Sequence, residues 1–62
     1  MSYVEELKAH IQGLVRSGMS QAEVARRADV DPMTVSRILR GSLGSVDVST
    51  YFKILGVQHA SA

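Results

Sequence analysis

The strongest helical pattern in this chain is broken in its own middle. Residues 20–41 read SQAEVARRADVDPMTVSRILRG, with apolar residues three and four apart on both sides of an Asp-Val-Asp-Pro interruption. That spacing predicts two short helices joined by a tight turn. Ser20 and Glu23 have capping-box spacing and open the first of the pair, at about 21–28. Val24, Ala25 and Ala28 form its inward side, where the alanines let another helix come close. Asp29 ends it in a turn of positive φ, a conformation that Asp tolerates better than most residues. Asp31 then caps the second helix, and Pro32 takes its first position, where a missing N–H does no harm. This helix runs to about Arg40 and stops at Gly41. Val35 and Ile38 face inward with Val30 from the turn. Met33, Ser36, Arg37 and Arg40, at i, i+3, i+4 and i+7, form a separate outward stripe.

On the N-terminal side, residues 2–17 read as a further helix. Ser2 and Glu5 repeat the capping-box spacing, and Val4, Leu7, Ile11, Leu14 and Val15 fall along one face. Gly13 weakens the far end by about 1 kcal/mol, and Gly18 is placed to stop the helix as a left-handed residue. The C-terminal part, SLGSVDVSTYFKILGVQHASA, has two readings. Asp47 or Ser49 can cap a short helix carrying Val48, Tyr51, Phe52 and Leu55 and stopped at Gly56. Alternatively, Val46, Val48, Thr50, Phe52 and Ile54 alternate as in a half-buried strand. The caps and the Gly56 stop favour the helix. Residues 58–62 carry no pattern and are expected to fray.

Sixty-two residues suit a single domain, 1–62, that buries only about 60% of its unfolded surface and gains from self-association. The absence of cysteine excludes disulfides and thiolate metal sites and fits a reducing cytoplasm. No apolar run approaches the roughly 20 residues of a membrane span. MSYVEELK puts two glutamates where a signal peptide carries positive charge. These features point to a soluble cytoplasmic protein, or a nuclear one in a eukaryote. The net charge of +1 says little, but its distribution says more. All five arginines lie between Arg16 and Arg40, against only Glu23, Asp29 and Asp31, and two of those acids are caps. Arginine suits bidentate contact with phosphate or guanine.

Two short helices, a tight turn and small residues at the crossing describe a helix-turn-helix. Residues 19–41 resemble the DNA-binding unit of the Cro and lambda-repressor-like family of phage and bacterial transcription regulators. The resemblance rests on Gln21, Ala25, Ala28, the run Thr34-Val35-Ser36-Arg37, and Gly41. Further on, FKILGV looks like the family's last helix. Three positions depart from the pattern: Asp29 stands where Gly is usual, and Asp31 and Pro32 stand where Ser, Thr or Gln often lie. The resemblance implies an all-α, compact four- to five-helix domain that lays the helix at about 32–40 in the major groove. It places Arg37, Ser36 and Met33 against base edges, with Pro32 at the margin; Arg37 suits guanine and Met33 a thymine methyl. Gln21, Arg40, and Arg26 or Arg27 fall to phosphate. The implied partner is a double-stranded DNA operator, palindromic if the protein binds as a homodimer. Repression by occupying that operator is the expected activity.

Other readings of the same residues are plainer. Arg26 and Arg27 point in different directions on a helix, so at least one is expected to be merely solvated. Glu23 reads as a cap. His10 and His59 lack a third ligand, so they read as surface or partly buried residues, and no metal, cofactor or small-molecule ligand is expected. No constellation supports catalysis. Of the adjacent Tyr51 and Phe52, one is expected to fill the core. The other, with Leu39, Leu55 or Val57, is a candidate dimer interface. An antitoxin or other protein-interaction module on the same fold is the rival to the repressor.

Overall fold

A computed structural model describes residues 3–58 of the chain. Those residues form α1 (Tyr3–Arg16), α2 (Gln21–Ala28), α3 (Pro32–Arg40) and α4 (Val48–Leu55). No strand occurs among them, so the C-terminal part takes its helical reading. The Ser2 cap, His59 and the tail from 59 onward lie outside the described residues. No helix among the described residues is long and apolar enough to cross a membrane.

The boundaries follow from local chemistry. The first three helices end in one hydrogen-bond motif, in which a left-handed residue lets two backbone N–H groups turn back onto the last carbonyls. At the end of α1, Gly18 (φ 111°) donates to the Val15 carbonyl at 3.0 Å and Met19 to Leu14 at 3.1 Å. After α2, Asp29 (φ 58°, ψ 47°) donates to Arg26 at 3.2 Å and Val30 to Ala25 at 3.0 Å. After α3, Gly41 (φ 74°) and Ser42 repeat the pattern onto Ile38 and Arg37. Gly56 differs: it is right-handed, φ −73°, and ends α4 without this motif. At the helix starts, Ser20 Oγ accepts from the Glu23 N–H at 3.1 Å. Asp31 Oδ1 accepts from the Met33 N–H at 2.8 Å. Asp47 begins α4 with no such bond.

One core joins the four helices. Leu7, Ile11 and Leu14 of α1, Val24 of α2, Val35 and Ile38 of α3, and Ile54 of α4 are fully buried. Ala25 and Ala28 are buried where α2 meets its neighbours, and Val4, Met19 and Val57 complete the cluster. Val30 packs partly buried against it. α1 contacts the other three helices, while α3 packs on α1 and α2. Gly13 does not interrupt α1.

Two packing expectations need correction. Val15 is 38% exposed, because the buried stripe of α1 runs 4, 7, 11, 14 and residue 15 turns off its edge. In α4 neither aromatic fills the core. Ile54 and Val57 occupy that space, Tyr51 is half-buried at its edge, and Phe52 is 63% exposed. Val48, one turn before Phe52 on the same side, is 70% exposed.

Candidate DNA-reading face

The outer stripe of α3 is a consequence of helical geometry. At 100° per residue, Met33, Ser36, Arg37 and Arg40 fall within about a 100° sector. The buried Val35 and Ile38 lie on the opposite side. Asp31 and Pro32 set where the helix begins, and the burial of Val35 and Ile38 fixes which residues face out. Met33 is 52% exposed, Pro32, Arg37 and Arg40 are exposed, and Ser36 is half-buried. Gln21 is exposed at the first position of α2, beside the free N–H groups of that helix end. The structure therefore brings Pro32, Met33, Ser36, Arg37 and Arg40 onto one convex surface. With its side chains an α-helix is about 10–12 Å across, a width that a major groove about 12 Å wide admits.

The arginines divide into two sets. Arg37 and Arg40 take part in no ion pair among the described residues. Arg26 and Arg27 are both held by one carboxylate. Arg26 grips Glu23 as a fork, Nε to Oε1 at 3.1 Å and Nη2 to Oε2 at 2.5 Å. Arg27 Nε donates to the same Oε2 at 2.6 Å. Position 23 lies between 26 and 27 around the helix, so both arginines reach it from opposite sides. Hydrogen bonds from Arg26 first and Arg27 second hold the Glu23 carboxyl far below its ordinary value, at about 2. The expectation of a merely solvated arginine is thereby corrected. So is the full capping box: Ser20 makes its half, whereas the Glu23 carboxylate turns to the arginines. The signal for this, Glu at i with Arg at i+3 and i+4, stands in the sequence.

A second surface lies around the start of α4. Tyr3, Tyr51 and Phe52, the chain's three aromatics, touch edge to face, with centroids 5.5 Å apart for Tyr3–Tyr51 and 5.3 Å for Tyr51–Phe52. The Tyr3 hydroxyl donates to the Val46 carbonyl at 2.9 Å and accepts from the Val46 N–H at 3.3 Å. It thus ties the α3–α4 loop to α1. Tyr3, Val46, Val48, Tyr51 and Phe52 line a shallow apolar groove. No local pattern in the sequence links Tyr3 to Val46, because their contact spans 43 positions.

Of the apolar residues expected to be open to a partner, Phe52 is the most accessible. Leu39, Tyr51 and Leu55 are half-buried and packed against the core. Val57 is only 5% exposed and belongs to the core cluster instead. His10 is partly buried, and its Nε2 lies 2.8 Å from the Val57 carbonyl oxygen, in position to donate to it.

No curated protein and no solved structure matches the chain. A family model described as helix-turn-helix matches residues 12–57, well over half of the sequence. The matched span runs from the second half of α1 through α4 and contains the whole α3 stripe. With its all-α architecture, the turn at Asp29 and this match, the chain belongs to the Cro and lambda-repressor-like helix-turn-helix family of DNA-binding transcription regulators.

Proposed function

We propose that the protein is a sequence-specific transcriptional repressor of the phage Cro kind, acting in the cytoplasm as a single-domain DNA reader. The observation that carries this reading is the α3 stripe, which presents two arginines without ion-pair partners among the described residues, beside an exposed methionine. A guanidinium free of internal partners keeps both prongs for guanine O6 and N7. Arg37, near the middle of the stripe, is the base-reading residue. Met33 offers an apolar contact to a thymine methyl, and Ser36 donates or accepts over a short range. Pro32 flanks them. Arg40, at the far end of α3, and Gln21, at the positive end of α2, take phosphates. Arg26 offers its Nε/Nη2 edge to phosphate, and Arg27 its Nε, only by leaving Glu23.

One module makes few contacts, so specific affinity comes from two copies on a palindromic site, with half-sites about one helical turn apart. Val48, Phe52 and Tyr3 are 70%, 63% and 40% exposed. Together they leave roughly 300 Å² for pairing, well below the roughly 800 Å² per partner of a standard interface. Pairing through this surface is therefore weak in free solution and is completed on DNA. A bound pair excludes polymerase from the operator.

The test is the salt dependence of binding to a selected duplex. Arg40→Ala is expected to weaken binding across all sequences and to lower the slope of log K against log salt by about 1. A binding constant controlled by salt alone, with no dependence on sequence, would sink the specific-repressor reading. The aromatic groove supports a second reading, a module whose main task is to hold another protein, as an antitoxin does. In that case DNA binding is weak and unaffected by Arg37→Ala.

A further inference from the structure

We infer that Glu23 is an internal competitor of DNA phosphate, a positioning residue that acts by holding Arg26 and Arg27 away from the duplex. This rests on the DNA-binding reading above. A carboxylate and a phosphate present the same pair of oxygens to a guanidinium. Glu23 occupies the Nε/Nη2 edge of Arg26, the edge a phosphate would use, and also engages the Nε of Arg27. Arg26 remains 72% exposed and Arg27 40%, so both are accessible to a strand that displaces the carboxylate. Glu23 also sits in the first turn of α2, where its charge weakens the pull of the positive helix end on a phosphate at Gln21. It therefore opposes phosphate binding twice. By contrast α3 carries no acid in its first turn beyond the Asp31 cap, and its arginines have no such competitor among the described residues. The consequence is an unequal division of labour. The helix that reads bases is fully charged, while the sequence-blind attraction of α2 is damped, which limits retention on non-operator DNA.

The experiment compares the wild type with Glu23→Gln on a duplex of scrambled sequence, titrating salt. Removing the charge is expected to tighten binding roughly two- to tenfold and to steepen the log–log salt slope by about 1 to 2, as one or two further arginines reach phosphate. Adding Arg27→Ala to Glu23→Gln should return most of that gain. Equal or weaker binding by Glu23→Gln, at an unchanged slope, overturns the inference. A second measurement covers the case in which the variant does not fold. Proton exchange at the arginine Nε–H groups of the free wild type should be slower for Arg26 and Arg27 than for Arg37 and Arg40. Equal rates overturn the inference as well. Failure of the parent reading looks different: the wild type binds no duplex even at low salt, although Arg26 and Arg27 remain protected.

Discussion

The turn between α2 and α3 makes a sharp prediction at Asp29, the one non-glycine residue with positive φ among the described residues. Its backbone sits at φ 58°, ψ 47°, in the left-handed well. There a Cβ meets the following carbonyl at a cost of about 1–2 kcal/mol for an ordinary residue, and less for Asp. The carboxylate also stands at the C-terminal end of α2, where the helix dipole disfavours negative charge by about 0.3–1 kcal/mol. It joins no ion pair among the described residues that would offset this. Asp29→Gly removes both penalties but adds about 0.4–1 kcal/mol of freedom to the unfolded chain. The net expectation is a gain of about 0.5–1 kcal/mol. For a domain of this size that corresponds to roughly 2–8 °C in melting temperature. Asp29→Asn isolates the charge, since it keeps the shape and the tolerance of positive φ. It should gain about 0.3–1 kcal/mol at low salt and lose most of that gain in about 1 M salt. Asp29→Ala keeps the Cβ without the tolerance and should fall about 1–2 kcal/mol below the glycine variant. Thermal unfolding by circular dichroism, at low and high salt, reads all four proteins. An alanine variant as stable as the glycine one would refute the argument that this backbone position is strained.

Three further outcomes follow from the same geometry. Glu23 has its folded pKa near 2, against an ordinary 4.5, so the unfolded chain binds the extra proton between those values. Its contribution is therefore complete above about pH 4.5 and disappears as pH falls toward 2. The melting temperature of the wild type should drop more steeply over that interval than that of Glu23→Gln, and parallel curves would contradict the ion pairs. His10→Ala removes the 2.8 Å bond that fastens the segment after α4 to α1. It should cost about 1–3 kcal/mol in a denaturant titration, because the Val57 carbonyl loses its partner; a loss under 0.5 kcal/mol would show that water replaces the imidazole freely. Phe52→Lys places a charge in the exposed aromatic groove and should leave the monomer's melting temperature within a few degrees of wild type. Two-site occupancy on a palindromic duplex should nevertheless be lost; retained pairing would move the dimer contact elsewhere.

Much of this fold was legible because its boundaries are set locally. Ser20 and Asp31 start helices through bonds within three residues of themselves and Pro32 through its fixed φ, while Gly18, Asp29 and Gly41 stop them through a backbone conformation that few residues accept. The outward stripe of α3 was equally legible, since helical period alone separates Met33 and Arg37 from Val35 and Ile38. What the sequence obscured was competition and distance. At Glu23 two local roles were available to one carboxylate. The arginines won because they offer charged donors, whereas the cap offers a single neutral N–H. In α4 the size of Tyr51 and Phe52 suggested burial. The core, however, is filled by Ile54 and Val57, and the aromatics gather around Tyr3, far away in the chain. Of the residues that allowed a strand reading of 46–55, Val48 and Phe52 face solvent, Val46 and Thr50 are half-buried and Ile54 is fully buried, so their alternation carried no sheet.

The proposed function turns on base reading by Arg37 of α3. In-vitro selection from a random duplex pool, run in parallel on the wild type and Arg37→Ala, tests it most directly. The wild type should enrich a palindrome with half-sites about one helical turn apart and a fixed guanine in each half. Arg37→Ala should keep the spacing and lose the guanine, with about 1–3 kcal/mol of discrimination gone at that position alone. An unchanged consensus from Arg37→Ala, or no consensus from the wild type, would contradict the claim.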